Sequence, residues 1–251
     1  MLVIFDCDGV LIDSEVIFCA VDSEALARLG HTVAPSEIAR RFCGTPHHVA
    51  WSTLAAELGF TVEDRVIEEI RAESARRFAT ELRAIPGAAE AVAAAGALGY
   101  PPCVASSTGL PNLRRNLEIA GLLPQLDPHV FSASQVKRGK PAPDVFLYAA
   151  SQMGADPADC LVIEDSIHGV TAARRAGMKV VGFTGGGHAD DGLGQRLKAA
   201  GAHRTFAAMA EVAAWLAAGA PPPSYAIPGG SALRPVPAAG APGPRRPAPR
   251  R

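Results

Sequence analysis

At 251 residues with 48% hydrophobic content, the chain is long enough for one large domain or two small ones around a real apolar core. Its 24 basic and 25 acidic residues nearly cancel, which excludes an overall electrostatic footprint for nucleic acid. The balance is uneven: residues 220–251 hold five arginines and no acid, leaving 19 basic against 25 acidic residues before them, about −6. Five widely spaced cysteines without a C-x-x-C pair speak against a disulfide framework or a zinc site, and Cys103 and Cys160, in apolar runs, read as buried thiols. The first residues lack the basic flank of a signal peptide, and no apolar run is long enough to span a bilayer. A reducing, cytoplasmic setting without membrane partners is the expectation.

The first predicted element is a strand over residues 1–6, five apolar residues that run into Asp6-Cys-Asp8-Gly9. A short, continuous apolar run suits a strand covered on both faces, whose carboxyl end is where a parallel sheet gathers its ligands. Asp6 and Asp8, two apart, point the same way, and Gly9 permits a sharp turn directly afterwards. Paired carboxylates need a cation between them or a shared proton. The plain alternative is that they solvate a loop and cap a helix. An EF-hand is excluded, because glycine stands fourth in the acidic segment where that loop needs it sixth.

About seventy residues of helix follow, with no strand. Trp51, Leu54, Ala55 and Leu58 keep helical spacing, Ile67, Ile70, Ser74 and Phe78 make a second stripe, and Pro35-Ser36 and Gly44-Thr-Pro46 mark breaks. Residues 15–84 are therefore expected to form a separate helical lobe. From Ile85-Pro86-Gly87 onward, strands at 102–106, 129–132, 160–164, 179–183 and 204–206 alternate with helices near 87–98, 111–121, 142–154, 167–176, 193–201 and 207–218. That alternation implies an α/β fold with a doubly wound, mostly parallel Rossmann-like sheet, built from residues 1–14 and 85–218. Residues 219–251, with ten of the 21 prolines, read as a disordered Pro/Arg-rich tail.

Three polar groups fall at strand ends. Ser106 and Ser107 could hold a phosphate oxygen or simply cap a helix. Lys140, in Gly-Lys-Pro-Ala-Pro, has its position fixed by the prolines that follow; Lys137 is the substitute if Lys140 points outward. Glu164-Asp165 closes the strand Leu-Val-Ile. Helix capping would account for Asp165, but not for a Glu164 carboxylate at the end of a buried strand. Four acids, a lysine and a serine suit Mg²⁺ facing a phosphate, with oxygen ligands for a hard cation and an ammonium for substrate anions.

Asp6-Cys-Asp8-Gly-Val, Val-Ala-Ser106-Ser, Gly-Lys140-Pro-Ala-Pro and Ile-Glu164-Asp165-Ser, in that order, resemble the four motifs of the haloacid dehalogenase superfamily over residues 1 to about 218. The helical insertion is similar to the cap of the branch that contains phosphoglycolate phosphatase, β-phosphoglucomutase and 6-phosphogluconate phosphatase. Leu-Ile-Asp13-Ser14-Glu15-Val-Ile and Glu81-Leu-Arg-Ala-Ile-Pro-Gly87 most resemble the last of these. The resemblance implies a Mg²⁺-dependent phosphatase acting on a small sugar phosphate or phospho-acid. Asp6 would be the nucleophile that becomes an aspartyl-phosphate, and Asp8 the general acid and then base. Asp6, Asp165 and the Asp8 carbonyl would hold the metal, with Glu164 binding it through water or orienting its shell. Ser106 and Lys140 would hold phosphoryl oxygens, Ser107 would assist, and hinges would lie near 13–15 and 82–86.

The acid at position 8 departs from the dehalogenases and from phosphonate-cleaving members, so both chemistries are disfavoured. A mutase is the first alternative. It is weakened because β-phosphoglucomutases carry an arginine in the cap where this chain has Gly44-Thr-Pro-His47-His48, and a histidine where Phe18 aligns. A non-catalytic binding module is the second, against which the intact acids and Lys140 argue. His47 or His48 is expected to face the leaving group.

Overall fold

The structure, a computed structural model, describes residues 1–220. Six strands, β1 (Leu2–Phe5), β2 (Cys103–Ser106), β3 (Val130–Ser132), β4 (Cys160–Glu164), β5 (Lys179–Phe183) and β6 (Thr205–Phe206), form one parallel sheet in the order β3-β2-β1-β4-β5-β6. β1 is central, with Ile4 in register with Cys103 on one side and Val162 on the other. Strand order reverses direction between β1 and β4. In a doubly wound sheet that switch point opens a crevice at the strands' carboxyl ends.

Both faces of β1 are covered, which is why its sequence is continuously apolar rather than alternating. Leu2 and Ile4 pack with Val145, Phe146 and Val170, whereas Val3 and Phe5 pack with Val92, Leu113 and Val212. The helices come in chain order as α1 (Ser14–Arg28), α2 (Pro35–Phe42), α3 (His47–Leu58) and α4 (Asp64–Glu81), all between β1 and β2, then α5 (Ala88–Gly96). α6 (Leu110–Ile119) and α7 (Leu123–Leu126) lead to β3, α8 (Asp144–Gln152) to β4 and α9 (Ile167–Arg175) to β5. α10 (Leu193–Ala200) and α11 (Met209–Ala217) flank β6. The expected parallel α/β architecture is thus present. α7, one turn long, was not foreseen, because four residues are too few to display a helical period.

α1 packs on both α2 and α4, and the two expected stripes face inward: Trp51, Leu54, Ile70, Ser74 and Phe78 are all buried. The two connections between this insertion and the sheet are paired with each other. The Asp13 N–H donates to Arg83 O (3.0 Å), and the Ile85 N–H donates to Leu11 O (2.9 Å). Cys103 and Cys160 are buried free thiols, as their apolar surroundings implied. Apart from Gly219 and Ala220, the tail read as disordered lies outside the described residues.

Candidate active site

Directly after β1 the chain turns so tightly that the Cys7 carbonyl accepts the N–H groups of Val10, Leu11 and Ile12 (3.3, 2.8 and 3.1 Å). Gly9 makes this possible with φ at 77°, and a Cβ there would also lie 1.9 Å from Asp165 Oδ2. Backbone and neighbour both demand glycine. The turn places Asp6 and Asp8 in different environments. Asp8 accepts three hydroxyls: Ser14 Oγ at 2.6 Å on Oδ1, and Thr108 Oγ1 at 2.7 Å and Ser106 Oγ at 3.2 Å on Oδ2. Thr108 is fixed in turn by Ser132 Oγ, which donates to its carbonyl at 2.6 Å.

Asp6 instead faces Lys140, whose Nζ donates to Asp6 Oδ1 at 2.6 Å and to Glu164 Oε1 at 2.7 Å. Lys137 is exposed, so the ammonium in the site is that of Lys140. Glu164 is fully buried, and its other oxygen accepts the Ser166 N–H (2.8 Å) and Oγ (2.9 Å). Ser166, rather than Asp165, caps α9: its Oγ accepts the Gly169 N–H at 3.0 Å. Gly169 gives Glu164 its berth, because a Cβ there would stand 1.5 Å from Glu164 Oε1. Asp165 Oδ2 lies 3.1 Å from His188 Nε2, without the alignment of a hydrogen bond.

Burial pushes the Asp6 carboxyl well above its ordinary range; Lys140 opposes that shift, while Glu164, Asp165 and Asp8 add to it. Burial likewise raises Asp165, against the pull of His188. Burial also works against the charge of Lys140, but its ion pairs with Asp6 and Glu164 win and raise it above the usual lysine value. These shifts describe a pocket short of positive charge. Asp6, Glu164 and Asp165 bring one oxygen each within 4.8 Å of one another, and Asp165 Oδ2 is buried with no hydrogen-bond partner. An all-oxygen donor set with an orphaned carboxylate atom fits Mg²⁺.

A cavity of about 580 Å³ opens from this cluster toward the insertion. Asp6, Asp8, Lys140, Glu164 and Asp165 form its floor; Phe18, Asp22, Phe42, His47, Ile70, Ser74 and Phe78 contribute from the insertion, and Ser107, Thr108, Asn112 and Arg115 from the β2–α6 region. His47 lines this cavity, whereas His48 is exposed elsewhere. His47 Nε2 and Trp51 Nε1 both contact Asp22 Oδ1, at 2.9 and 2.8 Å. Ser74 Oγ is buried without a hydrogen-bond partner.

Ser106 sits differently from the other expected residues. Ser106 is fully buried with its hydroxyl committed to Asp8 and to the Thr108 N–H (3.0 Å), so it does not line the cavity; Ser107 and Thr108 do. Sequence reasoning also missed Ser14, Thr108, Asp22 and His188. The hydroxyl run Ser106-Ser-Thr108 and the serine in Asp13-Ser14-Glu15 were available signals for the first two. Asp22 and His188 carried none, since their partners are distant in the chain.

A doubly wound sheet with a carboxylate and lysine cluster at its switch point defines a class of α/β enzymes that handle anionic ligands. A family model of haloacid dehalogenase-like hydrolases matches residues 1–177, and the chain belongs to that family. It is 33% identical over 187 residues to a 6-phosphogluconate phosphatase of Escherichia coli, spanning 74% of this chain and 83% of the relative. Among solved structures, a conserved haloacid dehalogenase-like protein of Agrobacterium tumefaciens has a TM-score of 0.79 at 35% identity, covering 87% of this chain and 98% of its own. A family hydrolase of Deinococcus radiodurans with bound phosphate and sodium has a TM-score of 0.74 at 34% identity, covering 87% and 96%.

Proposed function

We propose that this enzyme is a Mg²⁺-dependent phosphatase that hydrolyses a small phosphorylated metabolite, a sugar phosphate or phospho-acid of the 6-phosphogluconate kind, through an aspartyl-phosphate on Asp6. The observation that carries the reading is the division of labour between two carboxylates two residues apart. Asp6 is pressed against a buried ammonium, and Asp8, which lines the same cavity, is held by three hydroxyls. The first is placed to attack phosphorus, with Lys140 balancing charge on it and on the phosphoryl oxygens. The second is placed to give a proton to the leaving alcohol and then take one from the attacking water. Asp6, Asp165 and the Asp8 main-chain carbonyl would hold Mg²⁺, with Glu164 behind them; when bound, the ion supplies neutralisation of the phosphoryl charge.

Ser107 and Thr108 on the cavity wall take the role first expected of Ser106, with Ser106 fixing Asp8 from below. The helical insertion acts as a cap that excludes water during transfer, and the paired segments at 11–13 and 83–85 are its hinge. Asp22, His47 and Ser74 offer acceptor and donor groups to the hydroxyls of a polyol leaving group. Hydrolysis is preferred to a mutase reaction because Phe18, where a mutase carries its histidine, stacks edge-on against Phe78 (4.8 Å) and cannot relay a proton.

The test is phosphate release from a panel of sugar phosphates, phospho-acids and phosphoglycolate, with and without Mg²⁺. Asp6→Asn should lower kcat by about 10⁴ or more while the protein still folds. Unchanged turnover in Asp6→Asn would sink the mechanism, and product analysis that finds phosphate relocated within the sugar would replace hydrolysis by mutation.

A further inference from the structure

We propose a second cation site, for a borderline-soft divalent ion of the zinc class, built by Cys43, Asp165 and His188. The three donors, a thiol sulfur, a carboxylate oxygen and a ring nitrogen, lie within 4.8 Å of one another. They come from three places: the turn between α2 and α3, the residue after β4, and the loop after β5. The His188 and Asp165 side chains are only 2% and 3% exposed. Yet neither ring nitrogen of His188 nor Asp165 Oδ2 has a hydrogen-bond partner. His188 Nε2 and Asp165 Oδ2 face each other as a buried pair that is not aligned as a hydrogen bond, and His188 Nδ1 has no partner, a deficit that folded proteins seldom leave open.

The spacing of the pair also suits two ligands of one metal ion. His188 Nε2 and Asp165 Oδ2 are 3.1 Å apart, close to the edge of a tetrahedron whose metal–ligand bonds are about 2 Å. A sulfur, nitrogen and oxygen set selects zinc-class ions, not Mg²⁺. Glycines leave the room: a Cβ at Gly9 or Gly186 would come within 2.7 or 2.8 Å of the His188 ring. The turn that carries Cys43 is already seated on the sheet side, because a Cβ at Gly44 would lie 2.6 Å from Ser166 Cβ. No C-x-x-C spacing announced this site, since its ligands converge only in the fold.

On binding, the Cys43 thiol releases its proton to solvent and His188 coordinates through a neutral nitrogen. The ion ties the helical insertion to the sheet and occupies Asp165. If Asp165 also serves Mg²⁺, as the proposed function has it, the two ions compete and the zinc-class ion holds the enzyme closed and inactive. The site itself stands on geometry alone.

Cobalt(II) chloride titrated into the full, metal-free chain tests it without any turnover. The expected result is one bound ion with thiolate-to-cobalt absorption in the near ultraviolet and intense visible bands of a tetrahedral centre. Cys43→Ser should remove the near-ultraviolet band and weaken binding at least tenfold, and His188→Gln should weaken it similarly, whereas Cys19→Ser should bind as the wild type does. Circular dichroism melts verify that each variant folds. Absence of the thiolate band, or its survival in Cys43→Ser, would overturn the site. Added Mg²⁺ should raise the cobalt midpoint in proportion; a fixed midpoint would overturn the sharing of Asp165. Because no substrate is present, failure of the phosphatase reading leaves these results intact.

Discussion

At the sheet edge, Lys140 and Glu164 side chains are 4% and 0% exposed, and each of their ion-pairing atoms has a named partner. In the helical insertion, by contrast, the pairs Arg65–Glu69 and Arg76–Glu73 lie on the outer surface, with the arginines 79% and 66% exposed. The two regions handle charge under different physics. A buried pair that loses one member leaves an uncompensated charge in a low dielectric, while a surface pair hands its partner back to water. The sheet edge is therefore intolerant of substitution, and the outer surface of the insertion is tolerant; under the proposed function the sheet edge holds the chemistry and the insertion sets what fits above it. Even within the insertion the rule changes with depth: Asp22, 6% exposed, meets both His47 and Trp51 through its Oδ1.

The largest expected effect is at Lys140. Lys140→Met strips the cation from between Asp6 and Glu164, and kcat should fall by about 10³ or more, with a loss of stability of about 3–5 kcal/mol. Lys140→Arg keeps the charge but brings a planar fork to a position shaped for one ammonium atom. It should fold and remain at least about a hundredfold impaired. Initial rates and thermal melts on both variants decide this. Wild-type kcat in either would mean that the buried pair is structural only, and the contrast between the two regions would fail.

Much of that sheet edge was legible in the sequence, for a physical reason. Strand ends of a parallel sheet are marked by apolar runs that terminate in polar residues, so Asp6, Asp8, Glu164 and Asp165 announce themselves without any knowledge of their neighbours. Lys140 was readable because its prolines fix the backbone around it. What remained hidden depends on distance through space. Ser106 turned out to face Asp8 rather than the cavity because rotation about a strand end is settled by the packing beneath it. Asp22 meets His47 and Trp51 across 25 and 29 residues, and His188 meets Asp165 across a helix and a strand; no local pattern encodes such meetings. The need for glycine at position 169 is hidden in the same way, because it comes from the Glu164 side chain lodged against it.

Asp22 gives the intermediate effect. Asp22→Asn keeps an acceptor for Trp51 but removes the charge that faces His47. The ratio of kcat/KM between the best and second-best substrates should change by about tenfold, within the range a single pocket contact commands. Steady-state kinetics on the full panel measure it. A fall of the same factor for every substrate would place Asp22 in the folding of the insertion instead of in recognition, and Asp22→Ala with its melt would separate the two.

The smallest effect is expected at Glu73, on the outer face of α4, where hydrogen bonds from Arg76 and Arg77 hold its carboxyl down at about 2. A carboxylate whose pKa is lower folded than unfolded stabilises the protein fully above the unfolded value, near 4.5, and loses that contribution as the pH falls toward 2. Glu73→Gln should therefore lower Tm by only about 1–3 °C at pH 7, because solvent screens the pair. The difference from wild type should shrink steadily between pH 4.5 and 2, and about 0.5 M salt at neutral pH should reduce it as well. kcat should not move, since Glu73 lies outside the cavity. A Tm difference that persists unchanged into acid would show that Glu73 acts through packing along α4 rather than through charge. The insertion's surface would then be no more tolerant than the sheet edge it covers.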